Sequence, residues 1–270
     1  MRIVVLFAVL FFCAGCSVAA KPDAEPALAT TKVKGSVTQS QASVPEKYQG
    51  LDSEELVRVL GEEYRPSQVL NYRKAREKLF DELRRKDGRL KLVYTTDTFK
   101  AGRIPNHKKV NTEHTWPKSK FGRDKMVKSD LHHLYPTRSK VNAERSSNPF
   151  AEIPDEKTER WWKSPVSQRD VPTEQRDDYS ESTSRKFEPP ENHKGDVARA
   201  MFYVYTVYQD KRLDLGWFRP QVSTLLDWHE QDPVDEEERL RDLGITEIQG
   251  NHNPYILYPG LATTVFAPLK

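Results

Sequence analysis

The sequence predicts an α+β fold in which a mostly helical single domain surrounds one hydrophobic core. Apolar residues recur at helical spacing in several long stretches, and two short apolar runs between them predict strands. A chain of 270 residues, of which 36% are hydrophobic, can bury one core of ordinary size. The composition therefore excludes a disordered protein and favours one globular domain.

The predicted helices rest on apolar residues three or four positions apart, which form one buried stripe. The stretch from 195 to 208 is the most apolar, and Asp196 near its start complements the dipole of a helix. We therefore expect this stretch to be the central core helix. The predicted helices cover residues 53–60, 67–85, 140–145, 195–208 and 221–229.

Two strands are predicted in the first half of the chain, one at Leu90–Tyr94 and one around Val110. By contrast, residues 151–190 are polar and contain five prolines, which predicts a long irregular segment. Trp161 and Trp162 within this segment could stack on nucleic-acid bases, although packing in the core is the more common role of tryptophan.

The N-terminus has the layout of a secretory signal peptide over residues 1–20. Met1-Arg2 precedes an apolar run, and Val18-Ala19-Ala20 has the small residues of a cleavage site. The apolar run is too short to cross a bilayer as a stable helix. Residues 21–48 lack apolar periodicity and predict a flexible linker, so the folded domain is expected to cover residues 49–270.

A second processing site could end before Cys16, because Ala14-Gly15-Cys16 resembles the box at which bacterial lipoproteins are cleaved and acylated. Cys13 stands where such boxes usually have Leu, so ordinary cleavage ranks first. We expect an exported protein, periplasmic or secreted, with a lipid-anchored envelope form as the second choice. Both cysteines lie in this segment, so no disulfide is expected in the domain.

The charges are distributed unevenly along the chain. Residues 101–150 contain eleven Lys or Arg and four Asp or Glu, whereas residues 227–238 contain seven acids and no Lys or Arg. A local positive field attracts a polyanion even when the net charge is only +3. The basic segment therefore suggests a surface that faces phosphate, while either run alone could be a solvated face.

The densest group of reactive side chains lies between residues 107 and 142. Four of the seven histidines, His107, His114, His132 and His133, fall within 27 positions, which raises the alternative of a zinc-stabilised module. No Cys is available there, and the oxygens of Glu113 and Asn142 suit a hard cation such as Mg²⁺ better. The residue types therefore favour a hard-cation site.

Glu113 and His114 are neighbours, and together they could divide the tasks of binding a cation and activating water. Adjacent side chains of a strand point to opposite faces, so both can serve one site only if the strand ends or bends there. Pro117 makes such an end plausible.

Three motifs closely resemble the signature of the bacterial endonuclease I family. They are Glu113-His-Thr-Trp-Pro-Lys-Ser119, Ser129-Asp-Leu-His-His-Leu-Tyr-Pro136 and Val141-Asn-Ala-Glu-Arg-Ser146. The resemblance continues in family order over about residues 50–260, and such ordered agreement is more specific than one motif. His252 and Leu257 depart from the family pattern, which has Arg and Asp there. Further blocks are Tyr72–Phe80, Phe187–Pro190, Lys194–Tyr203, Asp232–Asp235 and Gln249–Asn251.

The resemblance implies a ββα-metal (His-Me finger) motif with His114 as the general base and Glu113 and Asn142 as ligands of one Mg²⁺, for which Mn²⁺ or Ca²⁺ can substitute. It implies a non-specific endonuclease that hydrolyses DNA phosphodiester bonds to 5′-phosphate and 3′-hydroxyl ends. Whether RNA is also a substrate stays open. No stable protein partner is implied, and a monomer is expected.

Phosphate binding and support of the site fall to further residues. Arg145 is the first choice for phosphate, because it lies three positions from Asn142 on a predicted helix, followed by Arg123, Arg138 and Lys140. Asp130, His132 and His133 are expected to support the site from beneath rather than to bind the metal.

One alternative belongs to another class. A non-catalytic nucleic-acid-binding envelope protein could retain the fold without turnover, and such a binder would need no Mg²⁺.

Overall fold

A computed structural model describes residues 43–270. The predicted signal peptide, Cys16 and most of the predicted linker lie outside the described residues. The folded region begins slightly earlier than predicted, because Tyr48 is buried and its hydroxyl donates to Glu63 Oε2 at 2.8 Å. Between residues 43 and 270, no helix combines the length and apolar character needed to cross a membrane.

Helices make up most of the regular structure, which confirms the predicted α+β class. The helices are α1 Ser53–Glu63, α2 Tyr72–Asp81, α3 Lys125–Ser129, α4 Ser139–Arg145, α5 Lys194–Val207, α6 Leu215–Phe218, α7 Val222–Gln231, α8 Glu236–Gln249, α9 Pro254–Leu257 and α10 Leu261–Phe266.

The core is built around α5, as the sequence predicts. Nearly every side chain of this helix is buried, and it contacts α1, α7 and α9. Phe202 stacks on Phe266 of α10, with ring centroids 4.0 Å apart. A helix that is apolar on all sides is expected at the centre of a domain.

The predicted helix at residues 67–85 is shorter than expected, and helices α3, α6, α8, α9 and α10 lie outside the predicted set. Helix α2 begins at Tyr72 rather than at residue 67, because Asn71 caps it by accepting a hydrogen bond from the backbone N–H of Lys74 at 3.0 Å. Helix α8 was not predicted. Asp235 caps α8 in the same way, so the end of the acidic run forms a helix start whose acids complement the dipole.

The strands form three small antiparallel sheets: β1 with β2, β3 with β4, and a four-stranded sheet in the order β6-β5-β7-β8. Their bounds are β1 Arg89–Lys91, β2 Thr98–Lys100, β3 Val110–His114, β4 Leu134–Arg138, β5 Arg160–Trp162, β6 Ser167–Gln168, β7 Ser180–Ser182 and β8 Phe187–Glu188.

The prediction of an irregular segment at residues 151–190 is wrong, because this segment contains the four-stranded sheet. Trp161 and Trp162 are both buried, and the Trp162 indole donates to Ser182 Oγ at 3.3 Å. Both therefore pack inside the protein rather than forming an exposed surface for bases. The strands have only two or three residues each, which is too short for an alternating pattern.

The buried ammonium of Lys194 connects this sheet to the start of α5. Its Nζ lies 2.9 Å from Glu152, 2.8 Å from Glu188 and 2.6 Å from Glu191. Burial lowers the pKa of Lys194, but the carboxylates of Glu188 and Glu191 raise it by more, so the side chain stays charged. A single ammonium group thus contacts three carboxyl groups where the four-stranded sheet meets α5.

Lys194→Met is expected to lower the free energy of unfolding by about 3 kcal/mol, because it leaves the buried carboxyl group of Glu188 and the partly exposed carboxylates of Glu152 and Glu191 without their cation. The loss should shrink in acid, where protonation removes the repulsion among the acids. Urea unfolding measures both effects, with the exposed Lys186→Met as a control that should change stability by less than about 0.5 kcal/mol. Equal stability of the two variants would contradict the role of Lys194.

Candidate active site

The predicted site residues lie on a hairpin and the helix that follows it. Strands β3 and β4 pair antiparallel, with Glu113 opposite Tyr135 and His114 opposite Leu134. Helix α4 starts directly after β4 and contacts both strands. The sequence between residues 110 and 145 therefore forms one compact unit in which a helix covers one face of a hairpin.

Glu113 and His114 point to opposite faces, and β3 ends at His114. Glu113 lies on the face covered by α4, where it contacts Tyr94 and Arg145. The His114 ring lies among Tyr72 and His133, with ring centroids 5.6 Å and 5.5 Å away. The strand end predicted from Pro117 is thus present, and the two side chains flank it.

The tautomer of His114 follows from its hydrogen bond. Its Nε2 lies 3.0 Å from the carbonyl oxygen of Lys128, which can only accept, so Nε2 carries the hydrogen and Nδ1 carries the lone pair. The side chain is 4% exposed, and burial lowers the pKa of His114 well below its ordinary value, with a smaller contribution from His133. The imidazole is therefore neutral near neutral pH and can accept a proton at Nδ1.

Glu113 is 2% exposed and uses one of its carboxylate oxygens for protein contacts. Oε1 accepts from the Tyr94 hydroxyl at 3.0 Å and lies 3.3 Å from Nη1 of Arg145. Burial raises the pKa of Glu113, while Arg145 and Tyr94 oppose that rise. These contacts fix the carboxyl group and leave Oε2 for another ligand.

Asn142 projects from α4 beside the same strand. Its Nδ2 lies 3.4 Å from the carbonyl oxygen of Thr112, so the amide is oriented by the residue that precedes Glu113. This leaves Oδ1 as an oxygen donor. Asn142 and Arg145 lie three positions apart on α4, and Arg145 contacts Glu113 directly, so the amide and the carboxylate share one side of the hairpin.

These residues fit a hard cation better than zinc. Glu113 Oε2 and Asn142 Oδ1 are oxygen donors, and Mg²⁺ binds through few protein oxygens and keeps several waters. Between residues 43 and 270, no group of three or more His, Cys, Asp or Glu side chains could hold a metal. His107 is exposed, and the Nε2 atoms of His114 and His133 face backbone carbonyls, so the zinc-module alternative has no support.

Arg145 is buried at 1% exposure, which corrects its prediction as the first phosphate-binding residue. Its Nη2 donates to the Thr115 carbonyl at 2.7 Å and its Nη1 to the His114 carbonyl at 3.3 Å. The guanidinium also lies 4.5 Å from the Phe150 ring centroid. Arg145 therefore positions Glu113 and the end of β3, and its buried guanidinium cannot bind a phosphate at the surface.

The other basic candidates are at the surface. Arg138 is paired with Asp97 at 2.8 Å, so its charge is compensated. Arg123 precedes α3 and Lys140 lies in the first turn of α4, and both are exposed. Phosphate binding by these two stays a prediction.

Asp130, His132 and His133 lie beneath the hairpin and are fully buried. Asp130 Oδ2 accepts from the hydroxyls of Tyr203 at 2.7 Å and Tyr208 at 2.6 Å, both on or next to α5. Burial raises the pKa of Asp130, but His132 and the tyrosine hydrogen bonds lower it by more, so the carboxylate stays ionised. The three residues connect the turn before β4 to the core.

Sequence reasoning missed two contacts of the site. Tyr94 was assigned only to a strand, and nothing in a strand pattern indicates that its hydroxyl reaches Glu113. Lys128 contacts His114 through its backbone carbonyl, which any residue type could supply. His252, one of the departures from the family pattern, lies elsewhere and pairs with Asp242 at 2.6 Å.

Arg145→Met is expected to lower the free energy of unfolding by about 3 kcal/mol, because it leaves the Glu113 charge and two carbonyls unpaired. Adding Glu113→Gln should recover about 1 kcal/mol of that loss, since the two side chains are coupled. A double-mutant cycle in urea measures the coupling, with the exposed Lys140→Met of the same helix as control. Strictly additive losses would contradict the ion pair.

Comparison with known proteins identifies the family. A profile of the Endonuclease I family matches residues 60–260. The chain is 33% identical over 171 residues to an extracellular ribonuclease of Bacillus subtilis (strain 168), a match that covers 58% of this chain and 54% of that protein. An extracellular ribonuclease of Bacillus amyloliquefaciens is also 33% identical, over 58% of this chain and 53% of its own length.

A more distant relative is Endonuclease-1 of Buchnera aphidicola subsp. Baizongia pistaciae, which is 26% identical over 55% of this chain and 61% of its own length. The chain thus spans between half and two thirds of the length of these relatives. The family profile matches well over half of the chain and includes every residue of the site described above. The chain therefore belongs to the Endonuclease I family.

Proposed function

We propose that this chain is a Mg²⁺-dependent, non-specific endonuclease that uses a ββα-metal (His-Me) finger. The observation that carries the proposal is the neutral His114 at the end of β3, whose Nδ1 lone pair is set by the Lys128 carbonyl, together with the oxygens of its chain neighbour Glu113 and of Asn142 on α4. Hydrolysis of a phosphodiester requires a base and a cation, and the residues around the end of β3 offer candidates for both. Membership of a nuclease family supports the same reaction class.

In the proposed reaction His114 acts as the general base. Nδ1 takes a proton from a water molecule, whose oxygen forms a bond to phosphorus as the bond between phosphorus and the 3′-oxygen breaks. The leaving 3′-oxygen gains a proton from solvent, so the products carry a 5′-phosphate and a 3′-hydroxyl. The Lys128 carbonyl, 3.0 Å from Nε2, holds the ring and stabilises the imidazolium that forms.

Glu113 and Asn142 would hold one Mg²⁺, with Mn²⁺ or Ca²⁺ as substitutes. The bound cation would supply positive charge next to the scissile phosphate and the leaving oxygen. Arg145 and Tyr94 keep the Glu113 carboxyl group in place, so its free oxygen is preorganised for a ligand. A cation there would also hold Glu113 ionised despite its burial.

The proposed substrate is DNA, with RNA as a second substrate class. The two Bacillus relatives are named ribonucleases and the Buchnera relative an endonuclease, which supports a nucleic-acid substrate without choosing between the two. Contacts to the phosphate backbone carry no sequence information, so little base preference is expected. We propose export to the periplasm or the medium, since the Bacillus relatives are named extracellular, with a lipid anchor at Cys16 as the alternative.

His114→Ala is expected to lower the rate of plasmid cleavage by at least about 100-fold, because the general base is lost. Supercoiled plasmid is incubated with the chain in Mg²⁺ and in EDTA, and nicked and linear products are measured. The exposed His107→Ala serves as the matched control and should cut like the wild type.

Binding of the plasmid by the His114→Ala variant should be retained, which separates loss of chemistry from loss of fold. If the wild type binds nucleic acid but cuts neither DNA nor RNA under any divalent cation, the non-catalytic binding protein replaces the enzyme.

Asn142→Ala is expected to raise the Mg²⁺ concentration for half-maximal cleavage at least about tenfold, which corresponds to about 1.4 kcal/mol of cation binding. Asn142→Asp keeps an oxygen at this position and should have a smaller effect. The exposed Asn192→Ala is the control. An unchanged Mg²⁺ dependence of Asn142→Ala would remove this residue from the metal site.

A further inference from the structure

Helix α2 carries a half-buried arginine that faces β3. Arg76 donates from Nε to Oγ1 of Thr112 at 3.2 Å, and its guanidinium lies 5.9 Å from the ring centroids of Tyr72 and of Phe80. Thr112 and His114 are two positions apart on β3, so their side chains share one face. Arg76 is thus held on the His114 side of the hairpin.

The other basic residues of α2 are compensated by acids. Arg73 and Lys74 pair with Glu77 at 3.1 Å each, and Lys78 pairs with Glu82 at 2.6 Å. Arg76 forms no ion pair with any acid of residues 43–270, and Nε is the only one of its nitrogens with a hydrogen bond in that range. Its two terminal nitrogens are therefore available for an anion.

A second cation lies against the same tyrosine. Tyr72 contacts the His114 ring at 5.6 Å, and Nζ of Lys128 lies 4.7 Å from the Tyr72 ring centroid. Lys128 also forms no ion pair with the described residues. Two cations without an acidic partner among the described residues thus contact the tyrosine that packs on the candidate base, and their charges add to the attraction for an anion there.

We propose that Arg76 binds a backbone phosphate of the nucleic-acid substrate beside His114, with Lys128 adding charge to the same phosphate site. This inference rests on the proposed nuclease function and names a phosphate-binding residue that lies outside the basic segment of residues 101–150.

The geometry suits arginine in particular. The hydrogen bond from Nε to Thr112 fixes one edge of the planar guanidinium, and the two terminal nitrogens remain as a pair of parallel donors. A planar pair of donors matches two oxygens of a phosphate, and little side-chain entropy is lost because the fork is already oriented. A lysine at this position would provide charge without the paired contact.

The first test measures binding without turnover. The equilibrium constant K for binding to a labelled DNA duplex is measured in EDTA over a series of NaCl concentrations. It is measured for the His114→Ala variant and for the double variant that also carries Arg76→Met. Loss of one phosphate contact should reduce the slope of log K against log[NaCl] by about 0.9. The matched control adds Arg73→Met, which removes a cation of the same helix that is exposed and paired, and should leave the slope nearly unchanged.

The second test measures turnover in the full chain with Mg²⁺. Arg76→Met should lower kcat/KM by roughly 10- to 100-fold, as expected for one hydrogen bond to a charged group, and Arg76→Lys should recover part of that loss. Thermal unfolding checks that the variants fold.

The outcomes separate this inference from the proposed function. If the wild type cuts with Mg²⁺ and Arg76→Met lowers activity without changing the salt slope, Arg76 only supports β3 and the inference is overturned. It is also overturned if the salt slope and the kcat/KM of Arg76→Met both match those of Arg73→Met. If the wild type never cuts, the nuclease proposal fails, and the salt slope alone still shows whether Arg76 contacts phosphate.

Discussion

The arrangement of the site depends on one buried side chain, the Arg145 guanidinium. It joins α4 to the end of β3 through the carbonyls of His114 and Thr115, and it pairs with the Glu113 carboxylate. A buried ion pair offsets the cost of desolvation only when its remaining donors and acceptors also find partners. Here backbone carbonyls accept from both terminal nitrogens of the guanidinium, while its buried Nε has no partner among the described residues. The contacts of the terminal nitrogens orient the carboxylate and hold the end of the strand.

The base is held by a different kind of contact. A backbone carbonyl fixes the tautomer of His114, and the aromatic rings of Tyr72 and His133 hold its plane. The carbonyl belongs to α3, and Asp130, which follows α3, is fixed to the core by the hydroxyls of Tyr203 and Tyr208. Buried hydrogen bonds thus connect the segment that follows α3 to the core, and the Lys128 carbonyl of α3 orients the imidazole.

Sequence reasoning succeeded where a pattern extends over many residues. Helix α5 is buried on nearly all sides and contains the apolar run of residues 200–205, so its central position could be predicted. The four-stranded sheet could not, because its strands are two or three residues long and its order depends on contacts distant in the chain. At the site, residue types and the family resemblance together singled out Glu113, His114 and Asn142, whereas the contacts of Tyr94 and Lys128 depend on tertiary packing.

Charge counting shows most clearly why sequence alone misplaces a binding surface. The excess of basic residues at 101–150 includes Arg145, which is buried, and Arg138, which is paired with Asp97. Neither of these two charges is available to an incoming phosphate. Arg76 lies outside that segment among paired charges of α2, yet the fold brings it to Thr112 without a compensating acid among the described residues. The field at a site is therefore set by which charges lack partners there, and this depends on the fold rather than on the local count.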